Sequence, residues 1–197
     1  AQGVDLQVIE FNDYVQPNLA CDDGELDANF FQHRPYLDVF IKDHGVDLVS
    51  VASVHIEPMG VYSDKIKDLK ELKKGDKVAI PNDPTNGGRA LLLLATAGII
   101  KVPDINDVTV TVLDISENPL DLEFAELEAA QLPRALPDVA CAVINTNYAM
   151  PAGLNPLKDA LYIENADSPY VNILVANKDS AETEDMKALV KALTSED

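Results

Sequence analysis

The apolar residues of this chain keep switching between two periods, and that switching limits the fold more than any other feature. Residues 5–11 alternate at the two-residue period of a strand, and 47–54 read as a buried strand. Between them, 19–31 mixes polar turn residues with a short apolar segment, and 35–43 reads as a helix. Residues 65–74 form a short charged helical stretch ended by Gly75-Asp76, and 77–80 a strand stopped by Pro81. A polar, turn-rich loop at 82–88 leads to a helix over 89–97, rich in Leu and Ala and stopped by Gly98. Beyond it, 109–113 reads as a strand, 122–132 as a helix, 140–144 and 171–176 as strands, and 184–193 as an amphipathic helix. Strands alternating with helices predict an α/β fold with largely parallel sheets.

A chain of 197 residues, 47% of them hydrophobic, can bury one sizeable core or two small lobes. Pro58 interrupts the pattern after residues 47–54, and Pro169 interrupts it before 171–176. Extended crossings at these points predict one lobe from 1–62 with 168–197 and a second from 63–167, with a ligand cleft between them. No apolar run reaches the ~20 residues of a membrane-spanning helix. Ala1 follows no charged-then-apolar leader, as in a processed chain or a fragment.

The net charge of −19 excludes the usual electrostatics of nucleic-acid binding and disfavours acidic lipid surfaces. The acid excess bears on solubility, as in a salty habitat, rather than on fold. Cys21 and Cys141 make neither a disulfide framework nor a metal site. Cys141 lies in an apolar run and reads as a small buried hydrophobe; Cys21 lies beside Asp22 and Asp23, which raise its pKa. His33, His44 and His55 lack metal-ligand spacing, and there is no Gly-x-Ser-x-Gly elbow. No catalytic residue, cofactor or metal ligand is therefore assigned.

Three segments could carry recognition chemistry. In residues 80–91, a strand runs through a Gly-containing loop into a helix start, where free N–H groups favour an anion and Arg89 adds a fork suited to a carboxylate. A plain capped helix with an exposed Arg explains the same pattern. Residues 27–36 concentrate Phe30, Phe31, His33 and Tyr36 in a chain only 6% aromatic. They could line an apolar pocket favourable to a thioether, or simply form an aromatic core. Asn145 and Asn147 follow a buried strand, and Asn172 follows Pro169; such amides orient ligand groups or merely make turns.

Several stretches, taken in order, resemble one family. They are Gly24-Glu25-Leu26-Asp27-Ala28-Asn29 running into Phe31-Gln32-His33-Arg34-Pro35-Tyr36-Leu37, Pro58-Met59-Gly60-Val61-Tyr62-Ser63, residues 81–94, residues 126–133 around Ala130-Gln131-Leu132-Pro133-Arg134, residues 143–148, and Ser168-Pro169-Tyr170-Val171-Asn172. Together they are similar to the methionine-binding lipoproteins of ABC importers, the NlpA/MetQ family. The resemblance implies a two-lobed, type II periplasmic-binding-protein fold that closes on its ligand and delivers it to a permease driven by a separate ATPase. It implies a monomer at the periplasmic face or cell surface, held by a lipid on an N-terminal Cys that this chain does not contain. The family's opening strand–helix unit and usual C-terminal end are likewise unmatched.

By position, Arg89 is expected to clamp the α-carboxylate of L-methionine. Asn145 and Asn172 are expected to hold its amino and carboxylate ends, and Tyr14, Phe31, His33 and Tyr36 to wall its side chain. The alternatives are D-methionine, a methionine-containing dipeptide, or an enzyme built on the Arg89 anion site.

Overall fold

Residues 3–165 and 168–195 are described by the structure, a computed structural model. In chain order they form α1 (Gln16–Asp22), β1 (Ala28–His33), α2 (Arg34–His44), β2 (Leu48–Ile56), β3 (Gly60–Tyr62), β4 (Lys77–Pro81), α3 (Pro84–Thr96), β5 (Glu123–Leu127), α4 (Leu132–Ala135), β6 (Cys141–Ile144), α5 (Thr146–Ala149), α6 (Pro156–Asp159), β7 (Tyr162–Ile163), β8 (Val171–Asn177) and α7 (Glu184–Leu193). The chain divides into two compact units, Ala1–Ile56 with Pro169–Asp197, and Glu57–Ser168. Among the described residues, no helix is long and apolar enough to cross a membrane.

The first unit is built on a three-stranded sheet in the order β1-β8-β2. Successive side chains of a strand point to opposite faces, and β8 is apolar on both. Ile173 and Val175 pack with Cys21, Tyr36, Leu37 and Phe40 from α1 and α2. Leu174 and Ala176 pack with Met186 of α7. Gly45 ends α2 in the left-handed region at φ 69°, where its N–H donates to the Ile41 carbonyl. Thr183 caps α7, accepting from Met186 N–H.

The prediction of largely parallel sheets needs correction here. Both β1 and β2 run antiparallel to β8. The β1–α2–β2 crossover does leave its two strands pointing the same way, but β8 inserts between them in the opposite sense. Local pattern cannot reveal such an insertion from far along the chain. The alternation at 5–11 also yields no strand. Among the described residues no ladder takes up its backbone groups, and Leu6, Val8 and Ile9 are exposed.

The second unit holds a five-stranded sheet, β5-β4-β6-β3-β7. β4 pairs parallel with β5 and β6, whereas β3 pairs antiparallel with β6 and β7. Its core gathers Met59, Val61, Val78, Ile80, Leu91, Leu94, Cys141 and Val143.

Three local predictions fail in this unit. Residues 122–132 are not one helix: Glu123–Leu127 forms β5, in parallel register with Lys77–Pro81. Residues 109–113 are not a strand, because Asp107 and Asp114 bind the backbone and hydroxyls of Thr109 and Thr111, tightening the segment into turns and a short 3-10 helix. Residues 65–74 contain only a 3-10 turn, Leu69–Glu71, which Asp68 starts by accepting from Lys70 N–H.

Candidate functional site

In the second unit, the approach to Arg89 differs from the predicted loop. Helix α3 begins at Pro84, and Asp83 is its N-cap, accepting from Asn86 N–H at 2.9 Å. Pro at the first helical position and Asp before it are ordinary start signals. Gly87 and Gly88 suggested a turn, yet both are helical. The reason is close packing: a Cβ on Gly88 would lie 2.3 Å from the Val108 carbonyl oxygen, and one on Gly87 3.0 Å from that of Pro81. Arg89 therefore sits in the second turn, beyond the free N–H groups of the helix start. The anion at that start is the helix's own Asp83.

Arg89 is not an exposed arginine. It is 4% exposed. Its Nε donates to Glu164 Oε1 at 3.0 Å, and its Nη2 donates to Glu164 Oε2 and to the Glu57 carbonyl at 2.9 Å. Glu164 Oε2 also accepts Met59 N–H at 3.2 Å. A two-point pair of this kind accounts for a buried guanidinium. Glu164 escaped the sequence reading, since nothing in Tyr162-Ile163-Glu164 marks it.

Asn145 lies where β6 ends and α5 begins. Its Nδ2 donates to Asn86 Oδ1 at 2.9 Å. Its Oδ1 is buried with no hydrogen-bond partner among the described residues. The next hydroxyl, on Thr146, donates to the Pro58 carbonyl at 2.6 Å. Behind Asn86, burial pushes the Asp83 carboxyl above its ordinary value, an effect opposed by hydrogen bonds from Asn86 and Thr85. Asp83 and Asn86 were not singled out from sequence, although the Asp-Pro helix start was a usable signal.

The first unit carries the aromatic set. The ladder between β1 and β8 slips between Phe30 and Gln32, so Phe31 sits in a bulge, which re-aims its side chain. The Phe31 ring stacks on Tyr14 at 5.6 Å and meets Tyr36 edge-on at 6.0 Å. Tyr36 hydroxyl donates to the Tyr14 carbonyl at 2.8 Å. His33 caps α2: its Nδ1 accepts Tyr36 N–H at 3.2 Å, which places the proton of the neutral ring on Nε2. His33 also packs edge-on against Tyr170 at 4.9 Å.

Asn172 on β8 stands opposite both His33 on β1 and His55 on β2. The structure thus gathers Tyr14, Phe31, His33 and Tyr36, with Asn172 opposite His33 in register. Tyr36 also belongs to the core with Leu37 and Phe40, so for that residue the core explanation holds as well.

Behind this set lies a buried amide network that the sequence reading missed. Asn18 and Gln32 exchange hydrogen bonds, and both bind Asn29. Asn29 Nδ2 also reaches the Pro17 carbonyl at 3.1 Å, tying α1 to β1. Both cysteines are free and buried. Burial, more than the neighbouring Asp22, pushes the Cys21 thiol up to about 11. Among the described residues, no group of three or more His, Cys, Asp or Glu side chains could hold a metal ion.

The fold is that of solved periplasmic substrate-binding proteins. One from Coxiella burnetii, of an ABC transporter, aligns with a TM-score of 0.95 and 47% identity over 98% of this chain and 82% of its own. A nutrient-binding protein from Burkholderia cenocepacia, solved bound to methionine, aligns with a TM-score of 0.95 and 52% identity over 99% of this chain and 82% of its own. The D-methionine-binding lipoprotein MetQ of Salmonella typhi is 52% identical over 99% of this chain and 73% of its own length. The family model for NlpA lipoprotein matches residues 1–197, and the chain belongs to that family.

Proposed function

We propose that this chain is the extracytoplasmic solute-binding component of an ABC importer and that its ligand is methionine. The observation that carries this reading is its 52% identity, over 99% of its length, to a protein solved with methionine bound. The two units are read as the two lobes. Arg89 is assigned to the ligand carboxylate, sharing its charge with Glu164. Asn145 and Asn172 are assigned to the ligand's polar end, and Tyr14, Phe31, His33 and Tyr36 to its thioether side chain. Aromatic rings suit that chain because sulfur–aromatic contacts are favourable. The chain acts by binding and release, without catalysis, as a monomer that hands its ligand to a permease driven by an ATPase. A lipid anchor would hold it at the membrane.

L-methionine is the ligand proposed. D-methionine is the second reading, favoured by the relative from Salmonella typhi, a D-methionine-binding lipoprotein. Calorimetric titration with L-methionine, D-methionine and a methionine-containing dipeptide tests both. Saturable binding of L-methionine at least as tight as the others supports the first; tighter D-methionine binding favours the second; binding of none overturns the proposal.

A further inference from the structure

The side-chain amide of Asn145 could face either of two ways, and the residues behind it select one. Ionised Asp83 can only accept hydrogen bonds. It takes Asn86 Nδ2 on its two oxygens, at 3.0 and 3.1 Å. Asn86 must then turn its own carbonyl oxygen away from Asp83, and that oxygen accepts Asn145 Nδ2 at 2.9 Å. With its donor committed to Asn86, Asn145 is left presenting Oδ1. Asn145 is 8% exposed and Asn86 2%, and that Oδ1 has no partner among the described residues. A buried carbonyl oxygen without a donor is costly, so its retention points to a donor supplied by a ligand.

We infer that Asp83 and Asn86 are positioning residues, whose one-way relay holds Asn145 Oδ1 as an acceptor and so selects a ligand bearing an ammonium group over the same acid without one. The inference rests on Asn145 touching the ligand, as proposed above. All three residues lie in the second unit, at the start of α3 and the end of β6. The sense of the relay is set by Asp83, the one member that cannot donate.

Asp83→Asn tests this without removing the helix cap, because Asn and Asp cap equally well. An Asn at that position offers an N–H₂ to Asn86, which allows both amides behind it to reverse and Asn145 to present Nδ2. The probes are methionine and its deamino analogue, γ-methylthiobutyrate, titrated into the wild-type protein and the variant. Loss of a hydrogen bond to a charged group should weaken methionine about tenfold or more. Affinity for the deamino analogue should change by less than about threefold. Asn86→Ala, which unpins Asn145 by a different route, should reduce the same discrimination.

Equal losses for both ligands in both variants, or wild-type discrimination retained in both, overturn the relay. A wild-type protein that binds methionine while the variants keep its discrimination leaves the proposed function standing and removes only the relay. A wild-type protein that binds neither ligand overturns both.

Discussion

Arg89 and Glu164, far apart in sequence, meet at two points inside the second unit, Nε to Oε1 at 3.0 Å and Nη2 to Oε2. Their side chains are 4% and 14% exposed. The pair ties α3 to the segment after β7, and both partners also bind the chain entering β3, at the Glu57 carbonyl and the Met59 N–H. A residue assigned to ligand recognition is therefore also part of the scaffold.

Glu164→Gln is expected to destabilise the protein by about 3–5 kcal/mol, because it leaves the Arg89 charge buried without its counter-ion. The double replacement Arg89→Met with Glu164→Leu leaves no buried charge and should recover most of that loss. Urea unfolding of the three proteins decides it. A double variant as unstable as the single one would show that the pair is not what holds the segment. Methionine binding should be lost in the double variant, which lacks Arg89, even as stability recovers, separating recognition from stability.

Gly88→Ala should destabilise by at least about 1–3 kcal/mol, although Ala is the better helix former. The added Cβ would lie 2.3 Å from a backbone carbonyl oxygen, that of Val108, which cannot swing aside as a side chain could. Thermal melts check this. Unchanged or raised stability would mean that the loop carrying Val108 yields freely.

Asn18→Ala should cost about 1–3 kcal/mol for each polar group it orphans. Gln32 and Asn29 both bind the Asn18 amide and would be left buried without it. Chemical denaturation gives the size of the loss. An effect no larger than that of an exposed-site Ala substitution would show that the network rearranges or admits water.

Alkaline pH should weaken the fold through three buried groups. Burial raises Cys21 from 9.0 to about 11, Cys141 from 9.0 to about 12, and Tyr62 from 10.0 to about 12. Below the ordinary values, each group is protonated in both states and its contribution is fully present. Between the ordinary and the raised values, only the unfolded chain loses the proton, so stability falls as pH rises. Unfolding free energies measured from neutral pH upward should decline through this window, and less steeply in Cys141→Ala. The same burial should keep both thiols unreactive towards a thiol reagent at neutral pH until the chain unfolds.

Legibility in sequence followed the range of the interactions involved. Helix α7 was readable to the residue, because an amphipathic stripe is a local signal. Strands β4, β6 and β8 were readable as short apolar runs between turn residues. Strand β5 was not, because Glu123–Leu127 becomes a strand only through its register with β4. The glycines before Arg89 misled for a related reason. A glycine required by a neighbouring backbone and a glycine required by a turn look alike in one dimension.

The candidate site divides along the same line. Arg89, the aromatic segment, Asn145 and Asn172 stood out by residue type and by their ordered resemblance to one family. Glu164 did not, since its meaning lies wholly in facing Arg89 across 75 residues of chain. Asp83 and Asn86 carry no such mark, since in one dimension they look like any residues of a polar loop.

By itself the sequence determined the alternation of elements, the acidic charge, the family and the residue types available for recognition. These follow from local periodicity and from motifs that need no partner to be read. The tertiary structure alone decided the antiparallel insertion of β8, the burial of Arg89 against Glu164 and the direction in which the Asn145 amide faces. Each of these depends on a hydrogen-bond or charge partner distant in the chain, and a donor or acceptor is committed only when the fold brings that partner within about 3 Å.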